Sequence, residues 1–210
     1  MQALFSTVHL LATMIAASCP AHPSVTIDVG AVHRPATVHE DFDTRELARM
    51  ASVAARKGKH DPLGAYLGTI GYTLGVSFAR GRDHCLTGVT IRVVLTFTDH
   101  RIEIGRDLRR VPCLYEAALA HYIRHANADD QALSLYARSV RGVLGAAPDR
   151  DVFEPGPNGL DEDSVKSAAK SLVDGALAKD DAKRDAMIAA IDTPEEVERL
   201  ERSCSAKSGR

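Results

Sequence analysis

Apolar residues recur with period two through most of the first half of the chain and with helical spacing through the second. In residues 24–30, SVTIDVG, the side chains of Val25, Ile27 and Val29 fall on one side and those of Ser24, Thr26 and Asp28 on the other, which predicts a short strand. Leu47, Met50, Ala51 and Ala54 form an apolar stripe and predict a helix over 44–56, with Asp43 or Thr44 as its cap. The run KGKHDPLG breaks that helix. Residues 69–78 and 87–97 are rich in β-branched and aromatic residues on alternate positions, first Ile70, Tyr72 and Leu74, then Val89, Ile91, Val93, Leu95 and Phe97. Both are predicted strands. A turn is expected over 98–101, leading into a shorter strand over 101–104.

From Pro112 the period changes. Tyr115, Leu119, Tyr122, Ala126, Leu133, Tyr136 and Val140 trace the core stripe of a long helix reaching about Gly142, with Pro112 in its first turn, where the missing amide costs nothing. GAAPDRDVFEPGPNGLDEDS is a predicted linker, and three charged helices are expected beyond it, over 163–178, 180–191 and 193–204. In the last, Thr193 can cap, Pro194 takes the first turn and Glu196 completes a capping box. The chain thus divides into a leader over 1–21, an α+β domain over 24–146, a linker over 147–162 and a helical segment over 163–206.

The candidate chemistry lies on the long helix. His121 and His125 are four residues apart, so a helix presents both imidazoles on one face, one turn apart, where they can share a metal ion. The zinc peptidase signature His-Glu-x-x-His uses that spacing, with the Glu polarising the attacking water. Here Tyr122 stands in the Glu position. A third ligand is needed for tight zinc binding. Asp129 continues the same face, although residues i and i+8 lie about 12 Å apart along a straight helix. Asp130, Glu116 and His100 are the other candidates, and His84 reads as a loop residue. Arg106, Arg109 and Arg110 read as surface charge. The DxD at 149–151 lacks the glycine and terminal Glu of a calcium loop.

Length and charge narrow the partners. The 210 residues, 45% hydrophobic, suffice for one domain with a core and some appended structure. A net charge of -2 from 26 basic and 28 acidic residues gives no one-signed field to attract nucleic acid or a membrane surface. Beyond the N-terminus there is no apolar run of about 18 residues, hence no internal transmembrane span. The apolar stretch from Val8 to Ala17, followed by small residues and prolines, predicts a signal peptide cleaved near Ser18 or Ala21. AASC is a faint lipoprotein box ending in Cys19. In an exported chain the cysteines can oxidise, and a Cys85–Cys113 bridge is the expected pairing, worth about 3–4 kcal/mol in the chain-entropy model. Cys204 then pairs only if Cys19 survives processing.

The stretch over 85–132 resembles a group of bacterial secreted proteins with a predicted zinc-protease-like domain of the zincin, HExxH type. In that group a strand carrying a Cys is followed by a short strand, a Gly/Ser-Cys-x-Tyr turn and a helix leading into His-Glu-x-x-His. This chain has Cys85, IRVVLTF, RIEIGRDL, then Val111-Pro112-Cys113-Leu114-Tyr115 and the helix segment HYIRH. IDTPEEVERLERSC is also similar to that group. The resemblance covers about a quarter of the chain and implies that His121 and His125 match two metal ligands, while the catalytic Glu has no counterpart.

The expected fold is therefore α+β, a small antiparallel or mixed sheet packed on the long HxxxH helix with additional C-terminal helices. The expected protein is exported, periplasmic or secreted, zincin-like and degenerate: it binds zinc on His121, His125 and a third group, and acts by binding an envelope protein or peptide, not nucleic acid. An active zinc peptidase and a metal-free structural envelope protein are the alternatives.

Overall fold

The computed structural model describes residues 23–50, 63–81, 85–147 and 162–205. The leader, Cys19, His84, the 149–151 acidic pair and nearly all of the expected linker lie outside the described residues.

A long run of β-branched residues forms the spine of the fold. Leu86–Ile104, β4, pairs antiparallel with Gly64–Arg80, β3, along one side. Its other side pairs in parallel, first with Ser24–Val32, β1, and then with Thr37–His39, β2. The sheet is mixed. The turn expected over 98–101 is absent, and β4 instead runs through to Ile104 with a bulge. Thr69 pairs with Asp99 and Ile70 with Phe97, so Thr98 is an extra residue on β4. That residue flips the alternation. Before it the buried apolar positions are odd, Val89, Ile91, Val93, Leu95 and Phe97; after it they are even, Ile102 and Ile104. The bulge keeps the apolar side chains of a 19-residue strand on the face that meets one helix, and the loss of alternation that suggests a turn in sequence is its signature.

That face is covered by α2, Pro112–Gly145. Its C-terminal half brings Leu133, Tyr136, Val140 and Leu144 against the Val89–Phe97 side chains, and α3, Glu162–Ala189, completes the cluster with Val165, Ala169, Val173 and Ala176. Its N-terminal half packs Ala118 and Ala126 against Ile102, Ile104 and Leu108, with Tyr66, Leu119 and Tyr122 at the margin. Glycines let the helix approach. A Cβ on Gly64 would lie 2.6 Å from the Tyr122 ring, and one on Gly68 would lie 2.1 Å from the Asp129 carboxylate.

One other expectation changes. The break expected near residue 179 does not occur: α3 is continuous through Asp180, which is buried and accepts from Lys183 Nζ at 2.6 Å. α3 shares the core with α2 against the sheet. At its start, Thr44–Met50, α1, carries a reciprocal capping box between Asp43 and Glu46, each backbone N–H donating to the other's carboxylate at 2.8 Å.

The last helix, α4, Pro194–Ser205, lies along the first half of α2. Cys113 is bonded to Cys204, with Cα atoms 5.6 Å apart, and not to Cys85 as expected. Distance explains the correction. Cys85 precedes the far end of β4, and a 19-residue strand spans on the order of 60 Å, whereas Cys113 follows its near end. Cys85 is disulfide-bonded as well, independently of Cys113.

Candidate metal centre

Pro112 starts α2, and its amide-free first turn lets the helix leave the 3-10 turn Arg106–Arg110 at once. Three turns on, His121 and His125 face α4 and are 7% and 5% exposed. They are not a solvated pair. The turn between α3 and α4 sets Asp192 over them, immediately before Thr193, whose hydroxyl caps α4 through the Glu196 N–H at 3.3 Å.

Three donor atoms converge. His125 Nε2 lies 3.2 Å from His121 Nε2 and 2.9 Å from Asp192 Oδ1, and His121 Nε2 lies 3.3 Å from the same Oδ1. Ligands bound tetrahedrally at about 2.0–2.1 Å are separated by about 3.3 Å, so the triangle has the size of one face of such a site. Hydrogen bonds alone satisfy it poorly, because Asp192 Oδ1 accepting from both Nε2–H groups leaves the two protonated nitrogens facing each other at 3.2 Å. A cation at the centre satisfies all three.

A second layer orients the histidines. Glu196 Oε1 lies 3.2 Å from His121 Nδ1, placed to accept its proton when Nε2 binds a cation. Glu196 itself is buried, gripped by Arg199 through two bonds of 2.8 Å and by Arg124. Its side chain therefore serves His121 and two arginines and not the reciprocal half of a capping box. Tyr66 stacks on His125 at 6.1 Å between centroids. Burial pushes the Asp192 carboxyl up, but hydrogen bonds from His121 and His125, with their charge, outweigh it and hold it well below the ordinary carboxylate range.

The other expected residues are elsewhere. Asp129 is completely buried, but its oxygens accept from Arg184 Nε and Nη2 at 2.7 Å each and from the Tyr66 hydroxyl at 2.9 Å. It is the centre of an ion pair between the two apolar clusters and not a ligand beside the histidines. Asp130 contacts His33 at 2.5 Å at the edge of a separate cleft of about 430 Å³. His100 stacks on Phe97 at 3.8 Å, with Nδ1 on the Arg34 carbonyl. Glu116 lines a shallow depression with Glu40 and Arg109. Tyr122 donates its hydroxyl to the Gly64 carbonyl at 2.6 Å, and burial pushes its pKa up to about 12. Arg106 and Arg109 are paired with Glu46 and Glu40.

Asp192 and Glu196 are the site residues that sequence reasoning missed. Comparison with protein-family models, curated proteins and solved structures found no match to this chain.

Proposed function

We propose that this chain is an exported, zincin-like protein that holds zinc on His121, His125 and Asp192 and acts by binding a partner, as a degenerate relative of the zinc peptidases. The convergence of His121 Nε2, His125 Nε2 and Asp192 Oδ1 carries the reading. Two imidazoles and one carboxylate suit a borderline divalent ion, and zinc takes that donor set with a fourth position open to an external ligand. Bound zinc would supply a Lewis-acid position for a peptide carboxylate or carbonyl. Asp192, with a half-exposed side chain, stands on the solvent side of that position.

Binding is favoured over hydrolysis because Tyr122 stands in the base position. The Tyr122 phenol is committed to Gly64 and, with a pKa near 12, accepts no proton near neutrality. Glu196 is engaged by His121, Arg124 and Arg199. Export is supported by the apolar leader and by the Cys113–Cys204 disulfide, a bond of oxidising compartments. No helix of the described residues is long and apolar enough to cross a membrane.

One observation favours an active peptidase as the second reading: three protein ligands with an open position is the count of catalytic zinc and not of structural zinc. Incubation of the zinc-loaded protein with a mixed peptide library separates the two. The expected result is stoichiometric metal without metal-dependent cleavage. Cleavage that disappears in His121→Ala would establish the peptidase.

A further inference from the structure

The opposite face of the sheet carries a second group of donors. His39 and Glu103 are register partners in the parallel β2–β4 pair, so both side chains project from the same face, away from the Ile102 and Ile104 face that meets α2. Asp41 follows two residues after β2 ends. One donor atom from each of His39, Asp41 and Glu103 lies within 4.8 Å of the other two.

Glu103 is the anomaly. It is 3% exposed, its Oε2 has no hydrogen-bond partner among the described residues, and the nearest cation, Arg101 Nε, stands 3.6 Å from Oε1 with a half-exposed side chain. A buried carboxylate with one oxygen unbonded carries a desolvation cost that a single half-exposed cation at 3.6 Å only partly offsets and that a bound cation would reduce. His39 is already oriented for the role. Its Nε2 is occupied by the Thr37 hydroxyl at 2.9 Å, while Nδ1 faces Asp41 Oδ2 at 3.7 Å.

We propose that His39, Asp41 and Glu103 form a second divalent-cation site, selective for a first-row transition ion of the zinc or manganese class. The imidazole donor sets the class, since calcium sites are built from oxygen alone. His39 and Asp41 stand at the solvent rim, with side chains 40% and 70% exposed, so the ion enters from outside and binds over the buried Glu103.

Calorimetric titration of the full-length, tag-free His121→Ala/His125→Ala protein with Zn²⁺, Mn²⁺ and Ca²⁺ tests this apart from the α2 site. The expected result is one residual equivalent of Zn²⁺ or Mn²⁺ and none of Ca²⁺. Glu103→Gln should abolish it, and His39→Gln or Asp41→Asn, at exposed positions that folding tolerates, should weaken it at least about tenfold. In the wild-type background Asp41→Asn should leave the α2 equivalent intact. No residual equivalent in the double variant, or one indifferent to His39→Gln and Asp41→Asn, overturns the proposal.

Discussion

Asp129 and Arg184 show how a plausible ligand becomes a structural residue. With both carboxylate oxygens bonded and no solvent exposure, Asp129 belongs to a closed pair, and removing one partner strands the other charge. Asp129→Ala should therefore destabilise by about 3–5 kcal/mol in urea unfolding while leaving the zinc stoichiometry unchanged. Gly68→Ala should cost about 1–3 kcal/mol, because its new methyl would meet the Asp129 carboxylate at 2.1 Å. Asp192 behaves in the opposite way. Its folded pKa is depressed, so its attraction to the histidines stabilises the metal-free fold above the ordinary carboxylate range and is lost as the pH falls through the lowered value. Thermal unfolding of metal-free wild type and Asp192→Asn should differ at about pH 5 and converge in strong acid. A difference that grows on acidification would contradict the assignment.

At the scale of elements, α4 completes the centre. Its N-terminal cap carries Asp192 and Glu196, and its other end is tied to the start of α2 by Cys113–Cys204, 91 residues apart in sequence. Cys113→Ala/Cys204→Ala should cost about 2–5 kcal/mol and also weaken zinc binding, both readable by thermal unfolding with and without added metal. This pairing also marks the limit of what the sequence disclosed. The strands beginning at Ser24, near Thr69 and near Thr87, the Pro112 helix and the histidine face were legible, because local periodicity reports them. The bulge at Thr98 was hidden because an extra residue breaks alternation as a turn does. Asp192 was hidden because no local pattern tells which turn lies over which helix. Pairing Cys204 with Cys113 brings IDTPEEVERLERSC over HYIRH and with it both missed carboxylates, whereas Cys85 and Cys113 merely open the strand run and the histidine helix.

Across the whole molecule, the three donors come from α2 and the α3–α4 turn, so a bound ion would cross-link the two. Zinc at about 100 times its dissociation constant should stabilise the fold by about 2.7 kcal/mol, an effect that a chelator reverses. The site draws its ligands from segments 67 residues apart, so it exists only in the folded chain. Elemental analysis of purified tag-free protein, beside His121→Ala/His125→Ala and Asp192→Ala variants, is the most direct test of that centre. The wild type should carry one equivalent of zinc more than the double variant, with Asp192→Ala falling between the two. Zinc absent from the wild type even after zinc is supplied, or equally abundant in all three proteins, would contradict it.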